Sequence, residues 1–219
     1  MNKGAIFDVD GTLLDSMPVW ENASDRFLEG LGIEAEPGLS AIMLVMSLDE
    51  GAAYLKSAYK LAMTDQEVKD GVRGVIRDFY VYQAQPKPGA REFLKELKER
   101  HIPLYIATSS NREHIQAACE RLQMDQYFDG MITCEEAGAG KSDPRIFLMA
   151  AKRMGLQPAD IFVFDDVIHA VRTANSAGFV TVGVYDPSGS ADNAAMRKES
   201  GFYMHSLENR EEFWDFAGL

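Results

Sequence analysis

The sequence predicts an α/β fold in which helices flank a mainly parallel sheet and a helical insertion follows the first strand. Along most of the chain, short apolar runs typical of buried strands alternate with segments whose apolar residues recur every three or four positions, as on the buried face of a helix. Such alternation indicates parallel strands joined by crossover helices. One long stretch after the first run contains helical patterns only.

The alternating part of the chain supplies the predicted sheet. Its apolar runs are 4–7, 102–107, 130–133, 161–164 and 180–184, and its helical patterns are 90–100, 113–124, 144–154 and 170–177. A short strand over 202–205 and a helix over 207–216 are predicted near the C-terminus. These elements predict a Rossmann-like parallel sheet, whose ligands bind beyond the carboxyl ends of the strands. Asp8, Thr108 and Asp165 each follow one of the runs, so we expect them at that edge.

Residues 16–85 are predicted to form a helical cap domain. Its helical patterns cover 19–31, 50–63 and 65–82. The sequence Pro-Lys-Pro-Gly at 86–89 provides a stiff return, because proline fixes its own backbone angle. The predicted core is therefore 1–15 together with 86–219, and we expect the cap to cover the end of the first strand.

The composition is that of a soluble globular protein, with 46% hydrophobic and 26% charged residues. A net charge of -12 repels nucleic acid and anionic membrane surfaces, so neither is expected as a partner. The apolar run at the N-terminus is too short for a signal peptide or a membrane span, which leads us to expect a cytoplasmic protein. Nothing in the sequence requires an oligomer, and we expect a monomer.

The segment Phe-Asp-Val-Asp-Gly-Thr-Leu-Leu-Asp at 7–15 is the most informative part of the chain. In it an apolar strand ends in two carboxylates, Asp8 and Asp10, which share one side of an extended chain. Gly11 allows the backbone to turn sharply after them. By spacing alone, an ordinary Asp-Gly turn and a functional site are about equally good interpretations.

A second acidic pair, Asp165 and Asp166, closes the run 161–164 and is expected at the same edge of the sheet. Carboxylates that crowd together without partners repel one another and are costly to bury, so a divalent cation among the four acids is the best explanation. A site with few carboxylate ligands, completed by water and phosphate, favours Mg²⁺ over Zn²⁺ or Ca²⁺.

Hydroxyl and ammonium groups are predicted near these acids. Thr108 and Ser109 follow an apolar run and place hydroxyl and backbone donors at the same edge. Lys141 follows the flexible Gly-Ala-Gly at 138–140 and precedes the helix that begins near Pro144, which allows its ammonium group to reach the site. Taken singly, such hydroxyl groups are more often turn formers, and a single lysine is more often solvated.

These pieces, in this order, resemble the haloacid dehalogenase superfamily, whose motifs are Asp-x-Asp-x-Thr, a Ser or Thr at a strand end, a Lys and an acidic pair. The resemblance spans nearly the whole chain and includes the helical cap, which makes the chain similar to the β-phosphoglucomutase-like phosphatase group. It implies a magnesium-dependent phosphomonoester hydrolase that acts on a small phosphorylated metabolite, with a sugar phosphate as the first expectation.

The resemblance also implies roles for individual residues. Asp8 attacks phosphorus and forms an aspartyl phosphate, and Asp10 acts as general acid and base. Mg²⁺ is bound by Asp8, the backbone carbonyl of Asp10 and Asp166, with Asp165 as a further or water-mediated ligand. The implied phosphate-binding residues are Thr108, Ser109 and Lys141.

The chain departs from the family pattern after two of the motifs. Ser-Asp-Pro-Arg at 142–145 stands where relatives usually have Pro-x-Pro-Asp, and Val167 and Ala170 stand where they usually have Ser and Gly. These differences affect the expected loop geometry and rate more than the reaction class.

The cap departs from the phosphoglucomutase pattern, in which a His and an Arg bind a second phosphate. Trp20 and Leu48 stand at those positions, and the loop 43–48 is apolar, so we prefer a phosphatase to a phosphomutase. Candidate residues for a substrate pocket are Trp20, Met43, Met46 and Arg112. Packing within the cap is the simpler role for the first three, and a salt bridge to the core is at least as good a role for the arginine.

Two alternatives to the phosphatase stay open. One is a phosphomutase, and the other is a catalytically idle protein that binds a phosphorylated ligand. The complete set of Asp8, Asp10, Thr108, Lys141 and Asp166 argues against an idle protein, since binding alone gains little from a nucleophile and an acid/base group. Dehalogenation is disfavoured because that chemistry needs no magnesium.

Overall fold

The predicted apolar runs form a six-stranded sheet in which all neighbouring strands are parallel. The strands along the chain are β1 (Gly4–Phe7), β2 (Leu14–Asp15), β3 (Gln85–Pro86), β4 (Leu104–Thr108), β5 (Gly130–Thr133), β6 (Ile161–Asp165), β7 (Val180–Val184) and β8 (Phe202–Met204). Across the sheet their order is β5-β4-β1-β6-β7-β8, and β2 pairs with β3 in a separate antiparallel ribbon. The α/β class and the Rossmann-like sheet predicted from the sequence are confirmed.

Helices connect the strands in this computed structural model, which describes residues 3–43 and 46–219. They are α1 (Met17–Gly30), α2 (Leu39–Met43), α3 (Leu48–Ala58), α4 (Asp65–Asp78), α5 (Ala90–Glu99), α6 (Arg112–Arg121), α7 (Cys134–Ala137), α8 (Arg145–Met154), α9 (Ile168–Ser176), α10 (Asn193–Glu199) and α11 (Arg210–Ala217). Within the described residues, none of these helices combines the length and the hydrophobicity needed to cross a membrane.

The chain divides into two compact units. One comprises the residues up to Asp15 and from Ala84 onwards, and the other comprises Ser16–Gln83 with helices α1 to α4. In the larger unit, the ribbon pairs Leu14 with Pro86 and Asp15 with Gln85. The residues at which the chain leaves and re-enters this unit are therefore hydrogen-bonded neighbours.

The central strands of the sheet are buried on both faces. Phe7 of β1 and Phe164 of β6 stack with ring centroids 4.2 Å apart and join an aromatic cluster with Phe93 of α5 and Phe213 of α11. Residues that alternate with these phenylalanines, such as Ile6, belong to an aliphatic core on α8 and α9. This two-sided burial is expected of a parallel sheet covered by helices on both faces.

The smaller unit has a hydrophobic core of its own. Phe27, Leu55 and Val68 lie at its centre, contributed by α1, α3 and α4. Helices α3 and α4 each begin with a capping box, in which a hydroxyl side chain accepts from the backbone N–H of a glutamate three residues on. The carboxylate of that glutamate accepts from the backbone N–H of the capping residue. The caps are built on Ser47 and Thr64, and they fix where these helices begin.

Several boundaries differ from those predicted. The helix predicted over 65–82 ends at Asp78 and continues as a π-helical turn over Phe79–Gln83, and the helix predicted over 50–63 ends at Ala58. Lys60 has a left-handed backbone angle of φ 52, which stops the second of these helices. The short helices α2, α7 and α10 were not predicted, because so few turns give no readable periodicity.

Phe213→Ala is expected to lower the free energy of unfolding by about 3–5 kcal/mol, the usual cost of removing a fully buried phenylalanine. Phe213 is 0% exposed, and its ring centroid lies 5.3 Å from those of Phe93, Phe162 and Phe164. Chemical denaturation monitored by circular dichroism measures the loss. Leu148→Ala, at a position 41% exposed, is the control and should cost far less. Equal losses in the two variants would contradict this description of the core.

Candidate active site

The first motif forms a tight turn at the carboxyl end of β1. The Asp8 N–H donates to the Phe164 carbonyl of β6 at 2.9 Å, which keeps the backbone in the sheet up to this residue. Gly11 then has φ 75, and a Cβ atom built on it would lie 2.4 Å from Oδ2 of Asp166. The turn therefore requires glycine twice over: for its backbone angle and for the close approach of an acidic side chain.

Three buried carboxylates meet at this edge of the sheet. Asp8, Asp165 and Asp166 each offer an oxygen, and these three oxygens lie within 4.8 Å of one another. Lys141 Nζ lies 2.5 Å from Asp8 Oδ1 and 2.8 Å from Asp165 Oδ2. When all four groups are ionised, one positive charge opposes three negative charges, and two negative charges are left over. The donor set, oxygen only and net negative, fits a hard divalent cation.

Burial changes the protonation of this cluster. It raises the pKa of Asp8 well above its ordinary value; Lys141 opposes the increase, and the neighbouring aspartates add to it. Burial and the charge of Asp165 raise the pKa of Asp166 to about 7. Burial alone lowers the pKa of Lys141, but Asp165 and Asp8 reverse this effect and leave it above its ordinary value. Without a further cation, the cluster therefore holds protons that ordinary aspartates release.

Hydrogen bonds fix the acidic pair at the end of β6. Thr12 Oγ1, within the first motif, donates to Asp166 Oδ1 at 3.0 Å. The N–H of Val167 donates to Asp165 Oδ1 at 3.0 Å, so the other oxygen of Asp165 is the one that contacts Lys141. Each acid is thus oriented by a donor and cannot rotate freely.

Asp10 is held by the neighbouring strand. Ser110, two residues beyond the end of β4, donates its hydroxyl to Asp10 Oδ2 at 2.5 Å. The Ser110 N–H in turn donates to Thr108 Oγ1 at 3.0 Å, and both Thr108 and Ser110 are buried. Thr108, Ser110 and Asp10 therefore form a connected group at the same strand ends as the three carboxylates.

Two other predicted residues of the larger unit make contacts of a different kind. The Ser109 side chain is exposed, and its Oγ lies 3.3 Å from Cys134 Sγ. Arg112 donates to both carboxylate oxygens of Glu136 at 2.8 Å and to the Met131 carbonyl at 2.8 Å. The arginine thus forms the salt bridge that the sequence offered as its alternative role, and its guanidinium is engaged there.

The remaining pocket candidates belong to the smaller unit. Trp20 is partly exposed and donates its indole N–H to the Tyr80 hydroxyl at 3.0 Å. Met43 packs against the hydrophobic core of that unit, and Met46 is half-buried. Leu48 is exposed at the start of α3. Leu44 and Val45 of the same loop lie outside the described residues.

Sequence reasoning missed three residues that the structure connects to this site: Thr12, Ser110 and Lys87. Thr12 is part of the first motif, and its spacing to the two aspartates was an available signal. Ser110 follows Thr108 by two residues, which was a weaker one. Lys87 stands in the proline-rich return, and nothing in the sequence indicated that its ammonium group donates to the Gly11 carbonyl.

Comparisons with known proteins identify the family of the chain. A model of the haloacid dehalogenase-like hydrolases matches residues 2–178. A phosphatase of phosphorylated carbohydrates from Thermotoga maritima is 30% identical over 176 residues, which are 80% of this chain and 82% of that protein. The fructose-1-phosphate phosphatase of Escherichia coli is 27% identical over 190 residues, 83% of this chain and 95% of that protein.

Among solved structures, a Thermotoga maritima protein provisionally named a β-phosphoglucomutase is similar over 97% of this chain and 98% of its own, with a TM-score of 0.82 and 26% identity. The range 2–178 matched by the family model includes the first motif, Thr108, Lys141 and the acidic pair. The chain belongs to the haloacid dehalogenase-like hydrolases.

Proposed function

We propose that the protein is a magnesium-dependent phosphomonoester hydrolase that works through an aspartyl phosphate on Asp8. The observation that supports it best is the buried cluster of three carboxylates and one ammonium, with Asp10 held beside it by Ser110. Such a cluster offers a nucleophile, a cation site and an acid/base group at one edge of the sheet. The phosphatases among the relatives support the same reaction class.

The residues proposed to hold Mg²⁺ are Asp8, Asp166 and the backbone carbonyl of Asp10, with Asp165 as a further or water-mediated ligand. The two uncompensated negative charges of the cluster match the charge of this ion. When bound, Mg²⁺ supplies positive charge that keeps the carboxylates ionised and offsets the charge of a phosphoryl group. Carboxylate oxygens, with room for water and phosphate, are the ligands it prefers.

Hydrolysis then proceeds in two displacements at phosphorus. In the first, an Asp8 carboxylate oxygen forms a bond to phosphorus while the bond to the leaving oxygen breaks, and Asp10 gives its proton to that oxygen. In the second, Asp10 takes a proton from water, the water oxygen bonds to phosphorus, and the bond to Asp8 breaks. Inorganic phosphate is released, and both aspartates return to their starting states.

Thr108 and Lys141 are proposed to bind the oxygens of the phosphoryl group. Lys141 already contacts Asp8, so its ammonium group lies beside the atom that attacks phosphorus. Positive charge at that place stabilises the charge that builds up on phosphoryl oxygens during transfer. Ser109 is retained as a further candidate through its position next to Thr108.

We propose a sugar phosphate as the substrate class. The relatives named above act on phosphorylated carbohydrates and on fructose 1-phosphate. Residues 16–85 are proposed to act as the cap, with Trp20, Met43 and Met46 selecting the leaving group. Mutase activity is not proposed, because Trp20 and Leu48 bring no positive charge to the positions at which a mutase binds its second phosphate.

Asp8→Asn is expected to abolish phosphate release, because an amide cannot form the acyl phosphate. A panel of phosphorylated metabolites, assayed for inorganic phosphate with Mg²⁺ and with a chelator, tests this directly. Activity should require the metal and fall at least about 10³-fold in the variant, the order of loss seen when a covalent nucleophile is removed. Asp215→Asn changes an exposed aspartate in α11 of the same unit and serves as the control. Metal-independent turnover, or an active Asp8→Asn, would sink the proposal.

Ser110→Ala is expected to lower kcat about 10-fold through loss of the hydrogen bond that orients Asp10, a modest share of the 10²–10⁴ that general acid–base catalysis contributes. The effect should be larger for substrates with poor leaving groups, such as alkyl phosphates, than for p-nitrophenyl phosphate, which needs little protonation. Steady-state kinetics on both substrates measure it. Ser176→Ala, on the exposed face of α9, is the control. An equal loss on both substrates in kcat/KM, which depends on the first displacement and not on the hydrolysis of the shared aspartyl phosphate, would contradict a role through Asp10.

The pH dependence of Mg²⁺ binding follows from Asp166, whose pKa is raised to about 7 in the metal-free protein. Below that pH the ion must displace a proton, so its affinity should be about 10-fold lower at pH 6 than at pH 8. Without metal, the raised pKa contributes stability that is present below the ordinary aspartate pKa of 3.8 and is lost as the pH rises through about 7.

Thermal unfolding with and without Mg²⁺ at both pH values measures these effects. The shift in Tm caused by the metal should be larger at pH 8 than at pH 6. In Asp166→Asn, which has no proton to displace at that position, this difference should shrink. A metal-induced shift that is independent of pH in the unmodified protein would be the contrary result.

A further inference from the structure

Lys87 has a largely buried side chain, and all three N–H donors of its ammonium group are used. Its side chain is 15% exposed, and Nζ donates to the Gly11 carbonyl at 2.6 Å, to the Tyr185 carbonyl at 2.5 Å and to Asp186 Oδ2 at 3.1 Å. A lysine ammonium group has three N–H donors, so each donor has one acceptor. Burying the charge is tolerable because it is paired and fully hydrogen-bonded.

The backbone of the same residue binds the same turn. The Lys87 N–H donates to the Leu13 carbonyl at 2.8 Å, so one residue holds the carbonyls of both Gly11 and Leu13. The other backbone hydrogen bonds of the turn run between residues 9 and 14 and are internal to it. Lys87 therefore attaches the backbone of this turn to the rest of the larger unit.

The Gly11 carbonyl belongs to the peptide unit that joins Gly11 to Thr12. Thr12 Oγ1 donates to Asp166 Oδ1, and the Gly11 backbone lies against the same carboxylate. A rotation of this peptide unit would shift both contacts with Asp166. The ammonium group of Lys87 fixes its carbonyl and hence limits that rotation.

Asp186 holds the ammonium group from the far side. Its side chain is 4% exposed, and its second oxygen accepts from the N–H and the hydroxyl of Ser188 at 3.0 and 2.6 Å. The carboxylate is thus fixed independently of Lys87. The chain of contacts runs from Asp186 through Lys87 and the Gly11–Thr12 peptide unit to Asp166.

We propose that Lys87 is a positioning residue of the active site, which holds the turn of the first motif so that Asp166 is presented to the metal. The inference rests on the proposed function, since it takes Asp166 to be a ligand of Mg²⁺. Lys87 makes no contact with the reacting atoms in this proposal, and it acts only through the turn. Its loss should weaken metal binding and lower kcat, while the contacts that bind the phosphate through Thr108 and Lys141 persist.

Lys87→Met tests the inference, because methionine fills a similar volume without a donor. Titration calorimetry with Mg²⁺ alone should show affinity reduced about 10-fold, the lower end of the usual cost of removing groups that orient metal ligands. At saturating Mg²⁺, kcat should fall and KM for the substrate should change less than about 2-fold. Lys95→Met, which removes an exposed lysine on α5, should match the unmodified protein in both measurements.

A second variant separates positioning from stability. Lys87→Met leaves the buried carboxylate of Asp186 without a positive charge beside it, which should destabilise the protein. Destabilisation alone could lower the measured activity, so it has to be separated from positioning. The double variant Lys87→Met/Asp186→Asn removes both charges and keeps the acceptor for Ser188, so it should recover Tm while Mg²⁺ affinity stays low. Recovery of affinity together with Tm would overturn the inference, as would unchanged affinity in the single variant.

The same experiment distinguishes this inference from the proposed function. If the unmodified protein neither binds Mg²⁺ nor releases phosphate, the proposed function fails. If the unmodified protein does both and Lys87→Met has the same Mg²⁺ affinity, only the inference about Lys87 fails. Lys87→Arg keeps the positive charge beside Asp186 but places its donors differently. The Mg²⁺ affinity of this variant should lie between those of the unmodified protein and Lys87→Met.

Discussion

The site depends on an excess of negative charge, because the fold buries three carboxylates together and supplies one ammonium group to balance them. Parallel strands bring Asp8, Asp165 and Asp166 to one edge, where all three are buried. The ammonium group of Lys141 contacts the first two of them. Buried charges of one sign are unfavourable without partners. This unfavourable arrangement favours protons on the carboxylates, and the divalent cation proposed above competes with those protons.

Much of this arrangement was predictable from the sequence, because it follows from topology. Asp8 and Asp165 each stand at the end of a short apolar run, and parallel strands must bring such ends together. The strand β4 was predicted to start at residue 102, whereas it starts at Leu104, after Pro103, which has no N–H to give to a neighbouring strand. Such an error does not affect the predicted site, because it moves the start of the strand by two residues and the site lies at the other end of the strand.

What the sequence did not reveal are contacts between side chains and distant backbone. The bond from Lys87 to Gly11 spans 76 positions and that from Ser110 to Asp10 spans 100. No periodic pattern or local motif predicts either bond, because both depend on the folded positions of loops that are distant in sequence. Arg112 shows the opposite kind of error. Its position near the end of β4 suggested a contact with phosphate, but its guanidinium pairs with Glu136 of α7.

The ribbon of β2 and β3 has a consequence for changes in the length of the chain between its two strands. Asp15 and Gln85 are paired across the ribbon, so the larger unit closes on itself whatever lies between them. A stretch of chain that starts and finishes at adjacent points can be lengthened, shortened or exchanged without moving the sheet. The residues proposed to carry the chemistry and those proposed to select the leaving group thus lie in separable segments of the chain.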